Sequence, residues 1–202
     1  MCIRGNGEPI IAATRDHHVK PNCTAVLLLL ALTGCLAPAG APVRDKLDAS
    51  SGLTMSALQS PLEFLSPATN GARASVFAYA GPFDLDRMGT RSLYLWVLLP
   101  DDVSAASKPV VRCDGQALDL PAQADGLNGT GLTQPPYKPP FPWGTQWYLT
   151  LSDAALDCLA KAHDIALEIP GTRAEPIQFV VQSPKGAVGF PVLQAFASQL
   201  AN

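Results

Sequence analysis

Residues 110–120 read VVRCDGQALDL: two short β-prone runs, VVRC and QALDL, joined by Asp114-Gly115. A two-residue hairpin turn of the favoured type needs positive φ at both central residues, and Asp-Gly meets that need at little cost. The stretch therefore predicts an antiparallel hairpin, and its texture recurs along the chain. SLYLWVLL (92–99) is apolar on both alternations, as expected of a central strand covered on both faces. SVFAYA (75–80), TQWYLTL (145–151), DIALEI (164–169) and IQFVVQ (177–182) add further strands, and DIALEI turns Ile165, Leu167 and Ile169 inward.

Two helices interrupt this pattern. Ser152 reads as an N-cap with Asp153 in the first turn, followed by DAALDCLAKAH with Leu156, Leu159, Ala160 and His163 on one face. PVLQAFASQL opens with Pro191, which the first turn tolerates, and aligns Leu193, Phe196, Ala197 and Leu200. The fold class expected is mainly β, with α+β as its alternative. Its form is an antiparallel, sandwich-like domain over 73–202 with short helices at about 152–163 and 191–201. Residues 35–72 are read as tether and irregular chain, with room for a short helix in LTMSALQSPLEFL that Pro61 interrupts.

Composition supports one folded domain. Of 202 residues, 48% are apolar and 15% charged, which suits a compact core rather than wholesale disorder. The net charge of −3 comes with no basic stripe, so nucleic-acid binding has no electrostatic footprint. The 19 prolines and 16 glycines fit many short elements joined by turns.

The N-terminal region carries the most specific motif. AVLLLLAL (25–32) is too short to span a bilayer, which takes roughly 20 residues, but fits the core of an export signal, roughly 7–15. Lys20 precedes it, and Leu32-Thr33-Gly34-Cys35 follows. This run resembles the lipobox of bacterial lipoprotein precursors. The resemblance covers residues 19–43 and implies cleavage before Cys35, a diacylglyceryl group on its thiol and acylation of the new amine. An ordinary signal peptide with a chance cysteine and a buried helix are the alternatives. Residues 1–34 are then signal peptide. The 16 residues from Val19 to Gly34 make a compact one, and translation is expected to start at Val19.

By analogy with enterobacterial sorting, Leu36 after the cysteine points to the inner leaflet of the outer membrane, facing the periplasm. LAPAGAP (36–42) reads as an extended tether. The remainder bears a general likeness to small, uncharacterised proteobacterial lipoproteins, which implies no activity.

After processing, Cys113 and Cys158 remain. An oxidising periplasm favours a disulfide between them, with two buried free thiols as the alternative.

Motifs for chemistry are sparse. His163 is the one histidine left after processing, and no G-x-S-x-G or H-E-x-x-H accompanies it. It is expected to pack at the helix end and bond the last carbonyls. Asp84 and Asp86 in FDLDRMG lack the other calcium-loop ligands and read as a solvated loop. GLNGTGL (126–132) matches no nucleotide-binding loop, and Asn128-Gly129-Thr130 is read as a chance glycosylation sequon. No catalytic residue, metal or cofactor is assigned.

One segment remains. QPPYKPPFPWGTQWYL (134–149) carries five prolines and five aromatic rings. In a periplasmic chain it is neither a linker nor a ligand for cytoplasmic proline-binding domains. It reads as a stiff loop whose Tyr137, Phe141 and Trp143 either fold back to cap the sandwich or form an exposed docking rim. The expected partners are the membrane, through the N-terminal lipid, and an envelope protein, with no nucleic acid. The leading function is a non-enzymatic, lipid-anchored interaction module. The alternatives are an inhibitor or immunity-type lipoprotein acting on a periplasmic hydrolase, with loops 121–144 as the plug, and an envelope hydrolase.

Overall fold

The computed structural model describes residues 41–66, 76–101, 107–170 and 176–201. The expected signal peptide, the expected start at Val19 and the expected lipidation of Cys35 lie outside the described residues, as does the expected tether up to Gly40. Among these described residues, ten strands form one antiparallel sheet: β1 (Val43–Asp48), β2 (Leu53–Leu58), β3 (Leu62–Ser66), β4 (Val76–Arg87), β5 (Thr90–Leu99), β6 (Val110–Cys113), β7 (Gln116–Ala117), β8 (Thr145–Thr150), β9 (Asp164–Ile169) and β10 (Ile177–Gln182). Among the described residues, three helices accompany them: α1 (Leu127–Thr130), α2 (Asp153–Lys161) and α3 (Pro191–Leu200).

The long strand β4 organises the sheet by changing partners halfway along. Its first half, Val76–Ala80, pairs with β3, and its second half, Phe83–Asp86, pairs with β2 on the same edge. The opposite edge holds β5 from Tyr79 to Arg87. One wing thus runs β1-β2-β4-β5-β8, and the other continues from β4 through β3, β10, β9, β6 and β7. Phe64, Leu95, Val111, Leu159, Leu167 and Leu193 line one small void, so both wings and both longer helices meet across a shared core.

The local readings explain most elements. Asp114 (φ 46°) and Gly115 (φ 80°) make the positive-φ turn, with Cys113 opposite Gln116. β5 is buried on both faces: Trp96, Val97, Leu98 and Leu99 are at most 1% exposed. The Ser152 side chain accepts a hydrogen bond from the Ala155 N–H at 3.2 Å, and α3 starts at Pro191. Cys113 on β6 and Cys158 on α2 are bridged, with Cα atoms 6.3 Å apart.

Three expectations need correction. Residues 43–66, read as irregular chain with room for a helix, form β1–β3. Leu53, Met55 and Ala57 are buried and Thr54 is exposed, so period two governs this stretch, and Pro61 sits in the β2–β3 connection. FDLDRMG is no solvated loop. It completes β4, and Asp84 is buried with its carboxylate 3.2 Å from the Arg91 guanidinium. Burial pushes that carboxyl above its ordinary pKa, opposed by Arg91. His163 lies beyond the buried C-cap Ala162 and is exposed, with its backbone N–H donating to the Asp114 carboxylate at 2.8 Å. The helix ends at Lys161, two residues before His163, so His163 never reaches the helix face that packs on the core.

Candidate functional site

Residues 134–144 form an arm laid over the outer face of β4 and β5, and its two ends behave differently. At one end Tyr137 is 1% exposed. Its hydroxyl donates to the Pro82 carbonyl at 2.5 Å and accepts from the Leu58 N–H at 3.2 Å. Both partners sit where β4 passes from β3 to β2, because Ala80 is the last residue paired with β3 and Phe83 the first paired with β2. Pro82 has no N–H to offer a neighbour, so a proline inside a strand belongs at such a break. The phenol fills the break and satisfies two backbone groups that would otherwise be buried and unpaired.

The ring needs room as well. A Cβ on Gly81 would stand 2.5 Å from the Tyr137 Cζ, so only glycine lets the phenol lie this close to the strand. Trp96 packs against it with centroids 5.2 Å apart. From above, the Arg44 guanidinium covers the ring at 5.6 Å and donates to the Pro136 carbonyl. Burial raises the Tyr137 pKa above the ordinary phenol value, and pushes Tyr148 up to about 12.

Six residues on, Trp143 is 60% exposed. It stacks on Phe141 (5.7 Å), which in turn packs on Tyr79 (5.9 Å). Tyr79 and Phe77 share one face of β4, two residues apart. Leu65 lies directly opposite Phe77, and Val180 of β10 lies opposite Leu65. The result is one apolar, largely aromatic stripe: Val180, Leu65, Phe77, Tyr79, Phe141 and Trp143. Leu65 (43%) and Phe77 (41%) are exposed, and the other three are half-buried. Glu63 stands opposite Tyr79, and Lys138 is exposed on the arm.

Of the three arm residues singled out from sequence, Tyr137 is thus core and Trp143 is surface, while half-buried Phe141 packs between Tyr79 and Trp143. Sequence reading missed Leu65, Phe77, Tyr79 and Val180 as their companions. The signal was faint: Phe77 and Tyr79 mark one face of SVFAYA, but only the β3–β4 register brings Leu65 beside them.

The other candidates are placed apart from this stripe. Asp114 holds the β6–β9 junction, where the Asp164 and His163 N–H groups bond its carboxylate and keep its pKa below the ordinary value. GLNGTGL forms α1 and faces the β4–β5 hairpin across an open cleft of about 420 Å³ that includes Arg87, Thr90 and Ser92. Among the described residues, no group of three or more His, Cys, Asp or Glu side chains could hold a metal ion. No protein-family model, curated protein or solved structure matches the chain.

Proposed function

We propose that this chain is a bacterial lipoprotein, acylated at Cys35 and displayed toward the periplasm, most consistently from the inner leaflet of the outer membrane. Its β domain is a non-enzymatic interaction module that docks on another envelope component. The anchoring half of this reading rests on the resemblance of Leu32-Thr33-Gly34-Cys35 to a lipobox, with its preceding apolar run and Lys20. A disulfide between Cys113 and Cys158 suits an oxidising compartment.

One observation carries the docking half: Trp143 is left 60% exposed at the end of a continuous apolar stripe. Large rings are costly to leave in water, and an exposed patch of them marks a surface that another body covers. The arm offers less to the inhibitor reading, because Tyr137 holds it flat against the sheet instead of projecting it as a plug.

The test is a photo-reactive phenylalanine analogue at position 143 of the full chain, expressed in cells and irradiated. An adduct with an envelope component, protein or lipid, is expected. No adduct under conditions that cross-link a control lipoprotein overturns the docking half. Acylation is read independently from the mass of the N-terminal peptide; a free Cys35 thiol there overturns the anchoring half.

A further inference from the structure

We infer that the occupant of the stripe is the bilayer surface: Val180, Leu65, Phe77, Tyr79, Phe141 and Trp143 seat in the lipid headgroup region of the membrane that holds Cys35. This inference rests on the anchor reading and names the component on which the domain docks.

Reach is the first argument. The Pro42 carbonyl accepts a hydrogen bond from the Gln59 N–H, which fixes where the chain enters the domain. Glu63, directly opposite Tyr79, follows only four residues after Gln59, so the entry point lies within about 20 Å of the stripe. Cys35 precedes Pro42 by seven residues, which extend to at most about 25 Å. The tether is thus long enough for the stripe to touch the bilayer and too short for the domain to wander far from it.

Chemistry is the second argument. Trp and Tyr combine a flat apolar body with a polar tip and concentrate where hydrocarbon meets water. Size is the third. Six part-exposed side chains offer on the order of a few hundred Å² of apolar surface, whereas a stable protein interface takes about 800 Å² from each partner. A small patch of this kind suffices on a membrane, because a short tether makes docking intramolecular, at an effective concentration on the order of millimolar.

The experiment uses the full lipidated chain in phosphatidylethanolamine–phosphatidylglycerol vesicles, with bromine placed just below the headgroups in one set. Trp143 emission is expected to be blue-shifted and quenched in the brominated set. Trp143→Phe should lose that quenching, because Trp96 is fully buried and Trp147 half-buried. Phe77→Ser, at an exposed position, should weaken the quenching while Trp143 itself remains. Unquenched Trp143 in a chain whose Cys35 is acylated overturns the docking on lipid and leaves the anchor standing, as does a position-143 adduct in cells that is protein alone. An unacylated Cys35 sinks the anchor reading and this inference with it.

Discussion

Tyr137 and Trp143 lie six residues apart on one proline-stiffened arm, yet one is among the most enclosed side chains of the molecule and the other is mostly in water. The difference follows from what lies beneath each. Under Tyr137 the sheet has a break, a glycine and two unpaired backbone groups, all of which one phenol can satisfy. Under Trp143 there is only another ring, Phe141, at the rim. Aromatic content alone therefore says little about burial; the backbone below decides it.

The largest effect that would sharpen this contrast is Tyr137→Ala. It removes a large buried ring and leaves the Pro82 carbonyl and Leu58 N–H without a partner, at a cost of about 5 kcal/mol. A urea midpoint within experimental error of the parent would break the comparison. Gly81→Ala attacks the same contact from below. The added methyl must displace the phenol, for about 2–3 kcal/mol, and Tyr137→Ala in the same chain should absorb most of that loss in a double-mutant cycle.

Alkaline titration gives a smaller, reversible version. The Tyr137 and Tyr148 phenols are held above their ordinary pKa by burial, Tyr148 at about 12, so the folded state prefers the neutral form. Their contribution is complete below about pH 10, where unfolded phenols titrate, and is lost as pH rises through the folded values. Denaturant midpoints should fall from pH 10 upward, and Tyr137→Phe should flatten that fall. The smallest effect is at the rim. Trp143→Ser should move stability by less than about 0.5 kcal/mol, read from the urea midpoint. A cooperative loss of stability would instead make Trp143 structural.

Much of this architecture was legible locally. The Asp114-Gly115 turn, the Ser152 cap, Pro191 at a helix start and the doubly buried β5 each follow from a few adjacent residues. What escaped depends on distance along the chain. Tyr137 reaches Pro82 across 55 positions and Leu58 across 79, and no local pattern announces such a contact. The one available hint was Gly81-Pro82 itself, since a glycine within a strand often marks a close approach. Residues 43–66 invite a reading as irregular chain with room for a helix that Pro61 interrupts, although Leu53, Met55 and Ala57 already alternate with Thr54 and Ser56. The β4–β5 turn was hidden for a different reason: Met88 (φ 52°) takes a position that usually selects Asn, Asp or Gly. The stripe was half visible, as Phe141 and Trp143, because its other half exists only through strand register.

The bridge between Cys113 and Cys158 encloses everything from Asp114 to Asp157, and so the whole arm, within one covalent ring. A single cut anywhere between Lys138 and Trp143 opens that ring without dividing the molecule. The nicked chain should migrate as one species on a denaturing gel and separate into two only after reduction. Tyr137, on one side of the cut, and Trp143, on the other, would each stay tied to the protein by its own route.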